Sequence, residues 1–350
     1  MAAGAGRHLL QDNDEQTAQF STRSGESLAR DYVPLPSYDS KMALDDYLAS
    51  EIVLDYADRI FDRREALRRL MLMGITAPAA AALLAACGSD DAAQPTSTTP
   101  TLTTPTLTTP TSATPVSAVP PSGIVAEEIR FTGPNGDLIG ALATAPAPKG
   151  AVLVIHENRG LTAHIRSIPP RLASDGFTSL AIDLLSEEGG TASLPTEGDA
   201  TAALSKAPAE RMIADLRAGL DELQRRAPDT KLGVIGFCFG GGMTWQLLAA
   251  GEPRLSAAVP FYGPAPADPD FNGSPNAAVL GIYAELDSRV NASQDTARTA
   301  LEAAGLDHEI RVFPGVDHAF FNDTGARYNA DQATAAYQAM IAWFGQHLSA

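Results

Sequence analysis

The chain has 350 residues, and its 25 Lys and Arg against 42 Asp and Glu leave a formal net charge of −17. A surface of that sign repels a polyanion, which argues against nucleic acid as a partner. The length suits one large domain with appendages, and the two cysteines, Cys87 and Cys238, sit in such different settings that each calls for its own explanation. A disulfide between them is the lesser reading.

From the start of the chain, residues 1–45 are polar and show no sustained period. They read as disordered or as an over-called start, with Met42 as an alternative initiator. Tyr47 to Phe61 has apolar residues at helical spacing and is expected to form a short amphipathic helix. Residues 1–61 together are taken as disordered or as an extended signal n-region. The run Asp62-Arg63-Arg64-Glu65-Ala66-Leu67-Arg68-Arg69 resembles a twin-arginine export signal, with Asp62 where Ser or Thr is usual. Leu70 to Ala86 is uncharged, short and Ala-rich, which suits a signal h-region better than a membrane span. Leu84-Ala85-Ala86-Cys87-Gly88 resembles a lipoprotein signal-peptidase box, so Cys87 is the expected lipidation site. The rival is a plain membrane anchor with an incidental cysteine. Residues 62–87 are thus expected to act as signal and lipobox, giving an exported, lipid-anchored protein of the cell envelope. Residues 88–123 are rich in Thr and Pro, cannot build a core, and read as a linker.

Residues 124–350 are the expected folded unit. Glu128–Phe131 and Leu138–Thr144 read as a hairpin turning at Asn135-Gly136. Strands are expected at Ala151–Ile155, Thr178–Asp183, Lys231–Ile235, Ser256–Phe261, Val279–Tyr283 and Glu309–Phe313. Helices are expected at Ile165–Ser174 (broken early by Pro169-Pro170), Arg211–Arg226, Met243–Ala250, Ser293–Ala304 and Asp331–His347. Alternating strands and helices predict an α/β fold, a mostly parallel sheet with helices on both faces and an antiparallel leading hairpin.

Gly236-Phe237-Cys238-Phe239-Gly240 lies where an apolar strand meets a helix. That is the spacing of a Gly-x-nucleophile-x-Gly elbow, with Cys in place of Ser. Glycines fit a turn too tight for Cβ atoms, and the helix N-terminus favours a thiolate. The plainer reading is a glycine-rich turn around an inert cysteine. A nucleophile there needs a base and an orienting carboxylate, and in α/β-hydrolases the order is nucleophile, acid, histidine. Downstream stand His308, His318 and His347. His318 follows the last strand in a loop, and Asp287 follows the strand before it, at the sheet end where open α/β folds place their sites. Asp317 and Glu285 are the competing acids. Early in the unit, His156-Glu157-Asn158-Arg159-Gly160 follows a buried strand. The Asn158 N–H and the Phe239 N–H are the expected oxyanion donors. Glu157 can accept the thiol proton, or it can be tied up by Arg159 or Arg166.

These stretches, with Ala181-Ile182-Asp183-Leu184, Tyr283-Ala284-Glu285-Leu286-Asp287 and Gly315-Val316-Asp317-His318-Ala319-Phe320, resemble the dienelactone hydrolase family along nearly the whole folded unit. The resemblance implies an α/β-hydrolase fold and a Cys238–Asp287–His318 triad, with Glu157 helping to hold and deprotonate the thiol. It implies hydrolysis of an enol-lactone through an acyl-cysteine, with no metal or other cofactor. Two family positions depart. Where arginines bind a substrate carboxylate, this chain has Glu187 (in Asp183-Leu184-Leu185-Ser186-Glu187) and Asn322. The substrate contacts expected from the resemblance are therefore Leu185, Glu187 and Asn322, with Arg159 or Arg327 as replacement anion binders. A neutral lactone or small ester is the expected partner, ahead of a carboxylated one. The rivals are an esterase or thioesterase of unrelated substrate and a tethered solute-binding lipoprotein. Neither a dinucleotide fingerprint nor a zinc H-E-x-x-H is present, since Gly236 and Gly240 are spaced differently and His156-Glu157 does not continue to a second histidine.

Overall fold

The first two strands form a hairpin at the edge of the sheet. β1 (Glu127–Gly133) pairs antiparallel with β2 (Gly136–Ala143), and Gly133 faces Gly136 across the turn. β2 in turn pairs antiparallel with β4 (Phe177–Asp183). β3 (Gly150–Ile155), β4, β5 (Leu232–Phe237), β6 (Leu255–Phe261), β7 (Ala278–Ala284) and β8 (His308–Phe313) are parallel to one another, in the order β1-β2-β4-β3-β5-β6-β7-β8. β3, β4, β5 and β7 are buried along their entire length. That is why they read as continuous apolar runs and not as alternating ones. This computed structural model describes residues 40–87 and 123–349. The remainder, including most of the Thr/Pro linker and residues 1–39 of the expected n-region, lies outside the described residues. All described residues belong to one compact unit, Asp39–Ala350.

The helices, in chain order, are α1 (Ser40–Ala57), α2 (Arg63–Leu72), α3 (Ala77–Cys87), α4 (Ala163–Arg166), α5 (Ile168–Ser174), α6 (Glu197–Lys206), α7 (Ala209–Arg226), α8 (Phe239–Ala249), α9 (Ser288–Asn291), α10 (Gln294–Ala303) and α11 (Ala330–His347). α7 carries the expected apolar stripe, with Met212, Ile213, Leu216, Leu220 and Leu223 all buried. The expected early break is present, at Ser167 between α4 and α5, just ahead of Pro169 and Pro170. They sit in the first turn of α5, where a missing N–H costs nothing. α6 was not among the expected elements. Its signal is Thr196, whose hydroxyl accepts a hydrogen bond from the Asp199 N–H at 3.2 Å.

The N-terminal segment departs most from expectation. Part of the stretch read as disordered is helix α1, which begins at Ser40 and ends before Arg59, where φ turns to +59°. The uncharged run Leu70–Ala86 is not one rod. It is divided between α2 and α3 at Gly74, whose φ is +92°. Asp62 caps α2 by accepting the Glu65 N–H at 2.9 Å, and Glu65 pairs with Arg68 and Arg69. Arg63 and Arg64 remain exposed. Ile52, Val53, Ala66, Leu70, Ala80 and Leu84 form a small core of their own, whereas Tyr47 and Leu48 join the main core. Among the described residues, no helix is long and apolar enough to cross a membrane.

Candidate active site

The elbow is set by two contacts that only glycine permits. A Cβ on Gly236 would lie 1.9 Å from the Gly240 carbonyl oxygen, and one on Gly240 would lie 2.4 Å from that of Ile155. Between them Cys238 sits at φ +56° and ψ −117°, a conformation that costs an L-residue free energy. Its neighbours hold it there: the Cys238 N–H donates to Phe261 O at 3.0 Å, and its carbonyl accepts the Gly242 N–H at 3.1 Å. The thiol is free and buried. Phe239 opens α8, so its N–H is one of the first-turn donors with no partner inside the helix.

His318 and Asp287 meet as expected. His318 Nδ1 lies 2.6 Å from Asp287 Oδ2, and both side chains are buried. Asp287 is held in turn by the Val290 N–H at 3.2 Å, as the cap of α9. The two competing acids are engaged elsewhere. Asp317 accepts the His318 backbone N–H at 2.6 Å, and Glu285 accepts the Gly315 N–H at 2.7 Å. Burial raises the Asp287 pKa, but the hydrogen bond and charge of His318 outweigh it and hold the carboxyl below its ordinary value. Burial works against a charged His318. Glu51, Cys238 and Asp287 together outweigh it and raise the imidazole well above its ordinary pKa. Burial pushes the Cys238 thiol up, Glu51 pushes it further, and His318 opposes both.

Glu157 is buried, and neither of its suspected arginines binds it. Arg159 pairs with Asp55 and Glu197 at 3.3 and 3.2 Å, and Arg166 pairs with Glu128 at 3.1 Å. Glu157 Oε2 accepts the Asn322 amide at 2.7 Å, while Oε1 is buried without a hydrogen-bond partner. Asn322 therefore serves Glu157. Asn158 is buried beside it, its carbonyl accepting the Thr201 hydroxyl at 2.9 Å. His156 fixes this loop: Nδ1 binds the Glu157 carbonyl at 2.6 Å and Nε2 accepts the Leu184 N–H at 3.1 Å. Burial keeps His156 below its ordinary pKa. Leu185 packs against the same loop, its Cδ1 3.0 Å from where a Gly160 Cβ would stand. Glu187 is engaged by the edge hairpin and α7. It binds the Asn135 amide at 3.0 Å and lies 3.6 Å from Arg211, which removes the ground for placing it among the substrate contacts.

Residues from the supposed leader complete the picture. Tyr47 Oη lies 3.4 Å from Cys238 Sγ, and Glu51 Oε2 lies 3.3 Å from His318 Nε2. Arg289 binds Glu51, and its guanidinium stacks over the Tyr47 ring at 4.5 Å. Arg327 reaches Asp55 at 3.1 Å and, through Nε, Asp58 at 2.7 Å. Tyr262 was also missed. Its ring packs 5.1 Å from that of His318, and its buried hydroxyl has no hydrogen-bond partner. A ligand atom each from Glu51, Cys238 and His318 lies within 4.8 Å of the others, a donor set that zinc accepts. The Arg289 guanidinium competes for the same carboxylate. The spacing Tyr47, Glu51, Asp55, Asp58 was the available signal, since steps of four and three put these side chains on one helix face.

A model of the dienelactone hydrolase family matches residues 138–348. A protein of Escherichia coli O157:H7 named "Putative carboxymethylenebutenolidase" is 36% identical over 214 residues, covering 57% of this chain and 78% of that one. One of the same name from Salmonella typhi is 35% identical over 243 residues, covering 64% and 89%. The crystal structure of a "Putative Dienelactone Hydrolase" from Klebsiella pneumoniae subsp. pneumoniae MGH 78578 superposes with a TM-score of 0.57 at 32% identity, over 64% of this chain and 99% of that one. Parallel sheet, elbow and match together lead to one conclusion: the chain belongs to the dienelactone hydrolase family and is a hydrolase acting on ester bonds.

Proposed function

We propose that the chain opens a lactone or small ester through an acyl-cysteine on Cys238. The observation that carries this reading is the 2.6 Å contact between His318 and Asp287 beside a cysteine held at a strained elbow. With substrate in place, the Cys238 thiol gives its proton to His318 Nε2, with Glu157 as an alternative acceptor. Sγ then attacks the carbonyl carbon, and the oxyanion is held by the Phe239 and Asn158 N–H groups. The C–O bond breaks, and His318 returns the proton to the leaving oxygen, which stays tethered when the substrate is a lactone. Water then attacks the thioester with His318 as base, releasing a carboxylate and restoring the thiol. Asp287 keeps the imidazole oriented and supports its charge. The test is intact-mass analysis of enzyme quenched during turnover of an activated ester. An acyl adduct is expected on Cys238, absent in Cys238→Ala. Full turnover by Cys238→Ala would overturn the reading.

We also propose export and lipid anchoring at Cys87, supported by the order of basic flank, apolar run and box. A second reading has its own support, because the small core shared by α1, α2 and α3 suits a segment that is retained. Fractionation of cells expressing Cys87→Ala separates the two. Loss of the protein from the membrane fraction and a changed mature mass are expected from anchoring, and no change in either from retention.

A further inference from the structure

We propose that α1 is an acidic internal plug, seated in the Cys238–His318 site as an occupant and holding the hydrolase off until residues ahead of the linker are lifted or cut away. The inference rests on the cysteine-hydrolase reading above.

The first ground is position. His318 Nε2 is the nitrogen that must take the thiol proton and pass it to the leaving oxygen. In this structure Glu51 Oε2 stands 3.3 Å from it, while Tyr47 Oη stands 3.4 Å from Sγ on the nucleophile. Any acyl group entering between the two must displace both. Glu51 and Tyr47 are buried along with Cys238, so the helix covers the reacting atoms as well as touching them.

The second ground is charge. Glu51 and Asp55 on α1 and Asp58 in the turn just past its end each meet an arginine of the hydrolase unit. These arginines come from three separate places: Arg159 from the loop after β3, Arg289 from the start of α9, and Arg327 from the loop before α11. Arg327 is shared by Asp55 and Asp58, and Asp55 is shared by Arg159 and Arg327. Three separate cations converging on one acidic helix face make a built docking surface, unlike scattered surface pairs.

The third ground is the state this imposes on the chemistry. A thiolate–imidazolium pair needs the imidazolium to face sulfur. With Glu51 present, the imidazolium charge is matched by a carboxylate, and the same carboxylate opposes ionisation of the thiol. Docked, the helix both fills the site and disfavours the nucleophilic form.

The covalent layout fits removal in one step. α1, α2 and α3 all precede residue 88, so a single cut at the Cys87 box releases the plug with its two supporting helices. What remains contains the whole stretch matched by the family model, residues 138–348.

The experiment compares the full chain, residues 124–350, and a full-length triple variant Glu51→Gln, Asp55→Asn, Asp58→Asn. Two readouts are taken: iodoacetamide alkylation of Cys238, located by peptide mapping, and hydrolysis of p-nitrophenyl acetate. Both are expected to rise at least tenfold in the truncated chain and in the triple variant, as for a site open about a tenth of the time or less in the parent. A peptide of residues 40–61 added to the truncated chain is expected to suppress both again, and its Glu51→Gln form to do so less. Equal alkylation in all three proteins overturns the plug, whatever the ester data say. So does a triple variant that keeps its fold by circular dichroism yet loses hydrolysis, because α1 would then be completing the site. Faster alkylation with no ester turnover in any form sustains the plug and overturns the acyl-cysteine reading instead.

Discussion

At the scale of single residues, four side chains carry the proposed chemistry, and their losses rank. Cys238→Ala should abolish turnover with the fold kept. His318→Ala should cost roughly 10⁴-fold, and Asp287→Asn less, because the imidazole survives without its orienting charge. Steady-state rates on one chromogenic ester check the order. Asp287 also links the site to stability. Its folded pKa is held down by His318, so its stabilising share is present above the unfolded value of about 3.9 and is lost as pH falls through the folded one. Melts from pH 6 to pH 3 should therefore show a smaller drop in Asp287→Asn than in the parent. Glu157 offers a different measurement. Its free buried oxygen and its bond to Asn322 make it a held carboxylate with one acceptor site to spare. Glu157→Gln keeps the Asn322 contact within reach while removing the second proton acceptor. The pH midpoint of thiol alkylation in residues 124–350 should move downward, because the Glu157 charge opposes ionisation of the thiol; an unchanged profile would leave Glu157 a purely structural residue.

At the scale of elements, α7 contains a group that works against the fold. Asp215 is buried on its inner side, and neither carboxylate oxygen has a hydrogen-bond partner. Arg211, the neighbouring cation, is 3.8 Å away and spends its Nη atoms on Glu188 and the Leu184 carbonyl. Burial pushes the Asp215 carboxyl up to about 7. The folded value then exceeds the unfolded one, so the folded chain binds the extra proton, and stability falls as pH rises from about 4 to about 7. Asp215→Asn should remove that penalty. We expect a gain of about 1–3 kcal/mol at pH 8 that shrinks towards zero at pH 4, measured by urea unfolding. A loss of stability at pH 8 would mean that the carboxylate is ionised and matched by Arg211 after all. α2 and α3 make a contrasting pair. Their break at Gly74 lets Leu70 and Leu84 pack on Ile52 and Val53, which a straight helix through the same run does not allow.

At the scale of the whole molecule, the distribution of charge decides what reaches the nucleophile. The net charge of −17 weakly repels anions everywhere. Locally, Arg327 is matched by Asp55 and Asp58, and Arg159 by Asp55 and Glu197, while α1 is docked, so a carboxylated substrate meets neither of them free. A matched pair of lactones differing only in a carboxylate should show the neutral one preferred in kcat/KM by the full chain. In residues 124–350 that preference should narrow or reverse, and Arg159→Ala with Arg327→Ala should restore it. An anion preferred equally by both lengths would show that the recognising cation lies beyond the reach of α1. Export enters at the same scale. Arg63→Lys with Arg64→Lys should leave the protein in the cytoplasm if those exposed arginines are read as a signal, with immunoblots of cell fractions as the check.

Local chemistry determined much of this protein from sequence alone. Apolar runs long enough to be buried on both faces, punctuated by turn residues, mark the parallel strands, and a cysteine between Gly236 and Gly240 admits few other geometries than the elbow. Asp287 and His318 were legible for the same reason, because each follows a strand whose end position the sheet dictates. What a side chain does once its neighbours arrive was not legible. Glu187 and Asp317 look like site residues in the chain and are drawn off by Arg211 and a backbone N–H, partners unknown until the fold is closed. Tyr47 and Glu51 look like part of a leader, yet they stand on Cys238 and His318 across sequence separations of 191 and 267 residues. Periodicity reports which face of α1 is apolar or acidic. Only the tertiary arrangement, which brings three arginines together from two loops and the start of α9, decides what that face is charged against.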